Sequence, residues 1–232
     1  MPPAETAMGN AAVIMQRLEK HQMKPKVTPL IQRFFQQVGG SMPLLSRFAI
    51  ANRWLMEPLL LNQLTKNHST NALVRTTTAL TMMKGSDAAN VLAPEVEFIV
   101  NFRLLPENTI QEVYAHVKNA TSGFDVEIEQ VDNAREASKV SLNNTKAYQI
   151  METSIRRLYP NLIITPYLTV GGTDAVKYQD LSENIYRFMP VKINHSEQQS
   201  MHSTNEYISI ENYLKMIEYF HYIMRNYDKQ SP

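Results

Sequence analysis

Between Val96 and Leu104 the chain alternates. Val96, Phe98, Val100, Phe102 and Leu104 share one face of an extended strand, and Glu97, Ile99, Asn101 and Arg103 share the other. A strand with one apolar face needs both a strand beside it and a cover over it. Ala72 to Met83, rich in Thr and Val, predicts the neighbour, joined to it through Lys84-Gly85-Ser86-Asp87 as an antiparallel hairpin. Residues 4–21 predict a covering helix, with Met8, Ala11, Ala12, Met15 and Leu18 at helical steps and Pro2 and Pro3 at its start. Thr109-Ile-Gln-Glu112 has capping-box spacing and opens a second helix carrying Ile110, Val113 and Val117. Asp125 to Val131 alternates again. Helix, strand, strand, helix, strand is a ferredoxin-like α+β sandwich one strand short of the split βαβ pattern. The absent strand would precede Met1, so the pattern is expected to begin upstream of this chain.

The rest of the chain has another rhythm. Residues 27–66 hold Phe34, Phe35, Phe48 and the sole Trp, Trp54, and predict two or three short helices broken at Gly39-Gly40. Residues 132–144 are polar and predict a linker. Beyond it, Asn144 or Thr145 caps a helix bearing Ile150, Met151, Ile155 and Leu158, closed by Pro160. Leu162–Val170 and Ile185–Val191 predict strands, the first interrupted by Pro166. Ser209 caps a last helix with Leu214, Ile217, Phe220 and Met224 facing inward. Strands alternating with helices imply an α/β layer. Its few strands do not close one, so Leu162, Ile164 and Leu168 are expected to be poorly covered.

Composition excludes several classes. The chain has 232 residues, 44% hydrophobic and 19% charged, which is ordinary globular usage. It has no Cys, hence no disulfide, thiol nucleophile or Cys-zinc site. No run approaches the length of an apolar membrane span, and no membrane partner is expected. Residues 1–75 carry 9 Lys and Arg against 3 Asp and Glu, a balance of +6. Those charges are scattered among Met, Leu and Phe, so they read as solvated helix faces and not as a nucleic-acid surface. Four N-x-Ser/Thr triplets, at Asn67, Asn119, Asn143 and Asn194, point only weakly to a secretory route, and the compartment is not fixed.

Three places could carry chemistry. Gly171-Gly172-Thr173-Asp174 ends a predicted strand where backbone N–H groups could meet an anion at a helix start, or makes a tight turn with an Asp cap. His202 differs from the other histidines in having Asn205 and Glu206 close by to fix its tautomer. His68 and His195 read as loop residues, and His21, His116 and His221 as packing on helices. Arg103 could grip a carboxylate, or pair across the sheet with Glu97. Asn90 could donate to an oxyanion, or serve as a turn residue. Absent are His-x-Asp, Glu-Glu, His-Glu-x-x-His, a Gly-x-Ser-x-Gly elbow and a Walker loop.

In order and spacing the chain resembles the carboxyl-terminal part of a carboxypeptidase S-like, aminoacylase-type di-zinc peptidase, nearest the carboxypeptidase S and N-fatty-acyl-amino-acid synthase/hydrolase branch. The segments carrying this are Asn71-Ala-Leu-Val-Arg-Thr-Thr-Thr-Ala-Leu-Thr81, Asn90 with Pro94, Val100-Asn-Phe-Arg103 with Pro106, Gly171-Gly-Thr-Asp174, Ile185-Tyr-Arg-Phe188 with Pro190, and His202 with Asn205-Glu206. The resemblance implies a lid, or dimerisation, domain over 1–131 with a helical insertion at 27–66. It implies the second segment of an α/β catalytic domain over 138–232. His202 would match the last His ligand of a two-zinc site. Asn90, Arg103, Gly172 and Thr173 would match substrate-binding positions. The other ligands and the Glu base would lie upstream. Ser203 stands where the family usually has Gly, and Val176 where it has a basic residue. The implied substrate is a small molecule with a free carboxylate, a dipeptide or N-acyl amino acid, and the implied assembly is a homodimer through the lid. This chain alone would be inactive. Two alternatives stand beside this: a non-catalytic dimerisation or interaction module derived from the family, and an enzyme of another class using Arg103 and His202 differently.

Overall fold

The computed structural model describes Met1 and residues 3–131 and 134–227; Pro2, and Asp132 and Asn133 of the expected linker, lie outside the described residues. The chain divides into two compact units, Met1–Ser138 and Lys139–Pro232.

The first unit is built around the alternating segment. Strands β1 (Thr77–Lys84) and β2 (Glu97–Arg103) pair antiparallel, from Thr77 opposite Arg103 to Lys84 opposite Glu97. The register shifts between Leu80 and Met82, which places one extra residue, Thr81, in β1. Helix α1 (Ala7–Lys20) starts at Thr6, whose hydroxyl accepts from the Gly9 N–H. It lays Ile14 and Leu18 with Ala120 against Phe98, Val100, Phe102, Val117 and Phe124. Burying Ile14 and Leu18 is worth roughly 1.5–3 kcal/mol each. The stripe is turned slightly from the expected one. Ile14 is buried, while Met8 and Ala12 are exposed.

Helix α6 (Ile110–Ala120) packs beside α1. The Glu112 N–H donates to Thr109 Oγ1 at 3.2 Å, and the Thr109 N–H donates to Glu112 Oε2 at 3.1 Å. The Asn108 amide, then the Thr109 N–H, hold the Glu112 carboxyl below its ordinary value. Glu136, from the connecting segment, accepts the Ile110 N–H. At the other end Arg17 donates to the Ala120 and Ser122 carbonyls at 3.1 and 2.8 Å and lies over the Phe124 ring.

Between α1 and β1 run α2 (Pro29–Val38), α3 (Leu44–Ala51), α4 (Arg53–Thr65) and α5 (His68–Val74), with a 3₁₀ turn at Gly39–Ser41. The glycine break is therefore where the sequence puts it. The strand expected from Ala72 begins only at Thr77. Asn67 caps α5 by accepting from Ser69 and Thr70, which draws Ala72 to Val74 into helix. Thr76 is buried where the chain turns from α5 into β1. Its hydroxyl donates to Asn108 Oδ1 at 3.0 Å and accepts from the Leu105 N–H at 2.9 Å.

The described residues do not show the full ferredoxin-like sandwich expected. The described residues contain one two-stranded sheet, β1-β2, so the architecture is mixed α/β with a small antiparallel ribbon. Residues 125–131 join no ladder, and Val126 and Val131 are exposed.

In the second unit α7 (Lys146–Leu158), capped by Thr145, packs on α9 (Ile210–Asn226), capped by Ser209. A one-and-a-half-turn helix, α8 (His195–Ser200), lies between them in sequence. The strands expected at 162–170 and 185–191 are not formed among the described residues. Side chains take the place of a ladder beside the second. Ser141 Oγ donates to the Ile185 carbonyl and accepts the Ile185 N–H. The buried Asn212 side chain accepts the Lys192 N–H and donates to the Lys192 carbonyl, both at 3.0 Å. Leu162 is exposed, and Ile164 and Leu168 are half-buried.

The last helix presents the face opposite to the expected one. Asn212 and Tyr219 are buried, whereas Leu214, Ile217, Phe220 and Met224 are exposed. Tyr219 fills the inner position, its ring 5.4 Å from that of Phe188, and burial pushes its hydroxyl pKa upward.

Candidate functional site

The carboxyl-terminal turn after α8 holds His202. Its backbone is left-handed, φ 61°, and so is that of Asn205, φ 68°. Non-glycine residues adopt this conformation at a cost of about 1–3 kcal/mol, which surrounding bonds must offset. Two of those bonds are the Ser203 N–H to the Ser200 carbonyl at 3.0 Å and the His202 N–H to Glu206 Oε2 at 3.2 Å. Glu206 thus fixes the backbone of His202. It does not orient the imidazole as the sequence suggested, and His202 is exposed.

Gly171 and Gly172 lead into a 3₁₀ turn, Asp174–Tyr178. The cap position belongs to Thr173, not Asp174, and Asp174 instead pairs with Lys177 at 2.8 Å. Neither glycine is left-handed, and a Cβ at either would meet nothing within 4 Å. Space alone therefore does not demand glycine there. The Arg187 Nε donates to Thr173 Oγ1 at 3.3 Å. The Thr173 hydroxyl keeps its own proton to donate, and a guanidinium stands beside it, a pair of donors suited to a carboxylate. Sequence reading gave Arg187 no role. A fourteen-residue separation with no periodic relation offers no signal that the two would meet.

In the first unit Arg103 ends β2, exposed and opposite Thr77. Glu97, the partner considered for it, lies at the other end of this seven-residue strand, opposite Lys84. That separation is about 20 Å at strand rise. Asn90 is exposed in the loop that joins β1 to β2 at the Glu97 end. The hairpin therefore places Asn90 and Arg103 towards opposite ends.

The donor set for a metal is thin. Among the described residues no three His, Asp or Glu side chains gather in a way that could hold an ion. A catalytic zinc needs about three protein ligands and an open position. His202 by itself does not fit that requirement. Asn67 and Asn194, two of the Asn-x-Ser positions, serve as helix caps for α5 and α8.

Residues 7–226 match the model of peptidase family M20/M25/M40. The probable carboxypeptidase S-like 2 of Dictyostelium discoideum is 31% identical over 229 residues, covering 99% of this chain and 44% of that protein. The human N-fatty-acyl-amino acid synthase/hydrolase PM20D1 is 33% identical over 232 residues, covering 98% of this chain and 46% of that protein. Carboxypeptidase S of Saccharomyces cerevisiae is 25% identical over 184 residues, covering 66% of this chain and 32% of that protein. The chain thus spans less than half the length of these relatives. No solved structure matches it. With almost its whole length matched by the family model and by relatives above 30% identity, the chain belongs to peptidase family M20/M25/M40.

Proposed function

We propose that this chain supplies the substrate clamp and one metal donor of a zinc-dependent carboxypeptidase or N-acyl-amino-acid hydrolase. Residues 1–131 act as its lid, and residues 138–232 as the carboxyl-terminal segment of its catalytic domain. Among relatives that match nearly the whole chain are a carboxypeptidase S-like protein and a synthase/hydrolase of N-fatty-acyl amino acids. The substrate is accordingly a dipeptide or N-acyl amino acid with a free carboxylate. Thr173, with Gly172 in the same turn, binds at the carboxylate end of the substrate, and Arg103 and Asn90 are substrate-binding residues of the lid, set towards opposite ends of its hairpin. His202 serves as the metal donor. Arg187, held against Thr173 at 3.3 Å, adds a cation beside that turn.

The observation that carries this reading is the mismatch between family and donor set. The chain belongs to a peptidase family, yet no three His, Asp or Glu gather among its described residues. A missing positioned base alone costs about 10²–10⁴-fold. The 232-residue polypeptide by itself therefore hydrolyses nothing measurable. Incubating the purified chain with zinc and a panel of dipeptides and N-acyl amino acids tests this. No amino acid should be released above the buffer rate. Zinc-dependent release would overturn it.

The second reading is a non-catalytic pairing module. In a two-stranded sheet each strand keeps an unpaired outer edge, which a second copy could extend. In the first reading, too, the lid pairs as a homodimer. Light scattering on the eluting protein gives the mass: a dimer supports pairing, and a strict monomer at high concentration rejects it.

A further inference from the structure

Helices α3 and α4 bury none of their residues, although both are rich in Leu. On α3, Leu44, Leu45 and Phe48 are exposed, the two leucines to 78% and 84%. On α4, Trp54, Leu55 and Leu59 are exposed, Trp54 to 83%. At about 100° per residue Leu44, Leu45 and Phe48 fall within about 100° of arc on α3, and Trp54, Leu55 and Leu59 within about 140° on α4. The helices are consecutive, joined through Asn52, whose amide donates to the Phe48 carbonyl at 2.9 Å. Six exposed large apolar side chains within residues 44–59 are more than scattered surface hydrophobicity.

The charge of this stretch narrows what can cover it. Residues 27–66 contain Arg33, Arg47, Arg53 and Lys66 against Glu57 alone, four cations and one acid, or +3. Glu57 is paired to Arg53 at 3.2 Å. Arg33, Arg47 and Lys66 are exposed and form no ion pair among the described residues. The bare face of α9 is different. Within that helix Glu211 and Glu218 balance Lys215 and Arg225, so charge selects no partner there.

We propose that the α3–α4 face docks on an anionic lipid surface, with Leu44, Leu45, Phe48, Trp54, Leu55 and Leu59 entering the headgroup layer and Arg47 and Lys66 meeting lipid phosphates and carboxylates. A helix suits that place because its backbone groups are bonded internally. Apolar side chains of a helix lying in the interface sink about 5–10 Å into it. No described helix is long and apolar enough to cross a membrane. This departs from the expectation of no membrane partner, which rested on the lack of a spanning run. It does not depend on the hydrolase reading.

Trp54 is the only Trp, so its emission reports this face alone. The chain is titrated with phosphatidylcholine vesicles containing about one third phosphatidylserine, and with phosphatidylcholine vesicles. With the anionic vesicles the Trp54 emission shifts to the blue, brominated acyl chains quench it, and the protein co-sediments. Binding to neutral vesicles is weaker by about tenfold or more. Leu45→Ser with Leu55→Ser removes the co-sedimentation, and Arg47→Glu with Lys66→Glu removes the anionic preference, while far-ultraviolet circular dichroism stays as in the parent. An unshifted Trp54 with no co-sedimentation on anionic vesicles overturns the proposal. So does a shift that follows protein concentration and ignores lipid, which would show two copies pairing on this face.

Discussion

Helices α1 and α9 carry similar apolar stripes and end differently. In α1 the stripe is covered: Ile14 and Leu18 meet the inward side chains of β2 and α6. In α9 the most apolar stripe, Leu214, Ile217, Phe220 and Met224, is bare, and the covered face carries Asn212 and Tyr219. A stripe states only that a helix can bury a face. The complementary surface decides which face it buries. For α1 that surface lies in the same unit, a two-stranded ribbon that needs helices over it to be stable.

The contrast breaks most readily by mutation. Leu18→Ala should cost about 2–5 kcal/mol, measured by urea unfolding, because it opens a void beneath α1. Leu214→Ala should cost no more than about 0.5 kcal/mol, since that side chain touches solvent. Similar losses at the two sites would mean that α9 is covered in solution. Next in size is Asn212→Ala, which strips both bonds from the Lys192 backbone. About 1–3 kcal/mol is expected from groups left unpaired. Hydrogen exchange should quicken at Lys192 and stay unchanged at β2. Thr109→Ala removes the α6 cap and should cost about 1 kcal/mol, lowering the melting temperature.

The smallest effect is a pH dependence. His116 lies on α6, edge-on to Phe102, with its buried Nε2 unpartnered. Burial first, and the charge of His21 second, lower its pKa from 6.5. The folded state therefore binds its proton less readily than the unfolded chain. The stabilisation is complete above 6.5 and is lost as pH falls from there through the folded value. A His116→Gln variant should lose less stability than the parent between pH 7 and about 5. Parallel pH curves would show that His116 makes no such contribution.

What the sequence discloses follows the same division. The capping box at Thr109, the β1–β2 pairing and the break at Gly39-Gly40 are local signals, and each became structure. Alternation at 125–131 and apolar runs at 162–170 and 185–191 are equally local, but a strand exists only beside another strand. Beside 185–191, Ser141 and Asn212 side chains took the neighbour's role. Facing was harder still, because Tyr219, less apolar than Leu214 or Ile217, fits against Phe188. At the candidate site, order and spacing picked out the segments of the peptidase family. The left-handed backbone of His202, its tie to Glu206 and the approach of Arg187 to Thr173 depend on turns and long-range contact, which no spacing encodes.

The proposed metal role of His202 needs partners that the described residues do not gather around it. Zinc titration of the chain, followed through the ring resonances of its histidines, addresses that directly. The account expects weak, fast-exchanging association of the kind a single imidazole gives, centred on His202 and lost in His202→Ala. Tight stoichiometric zinc binding, or binding indifferent to His202, would contradict it.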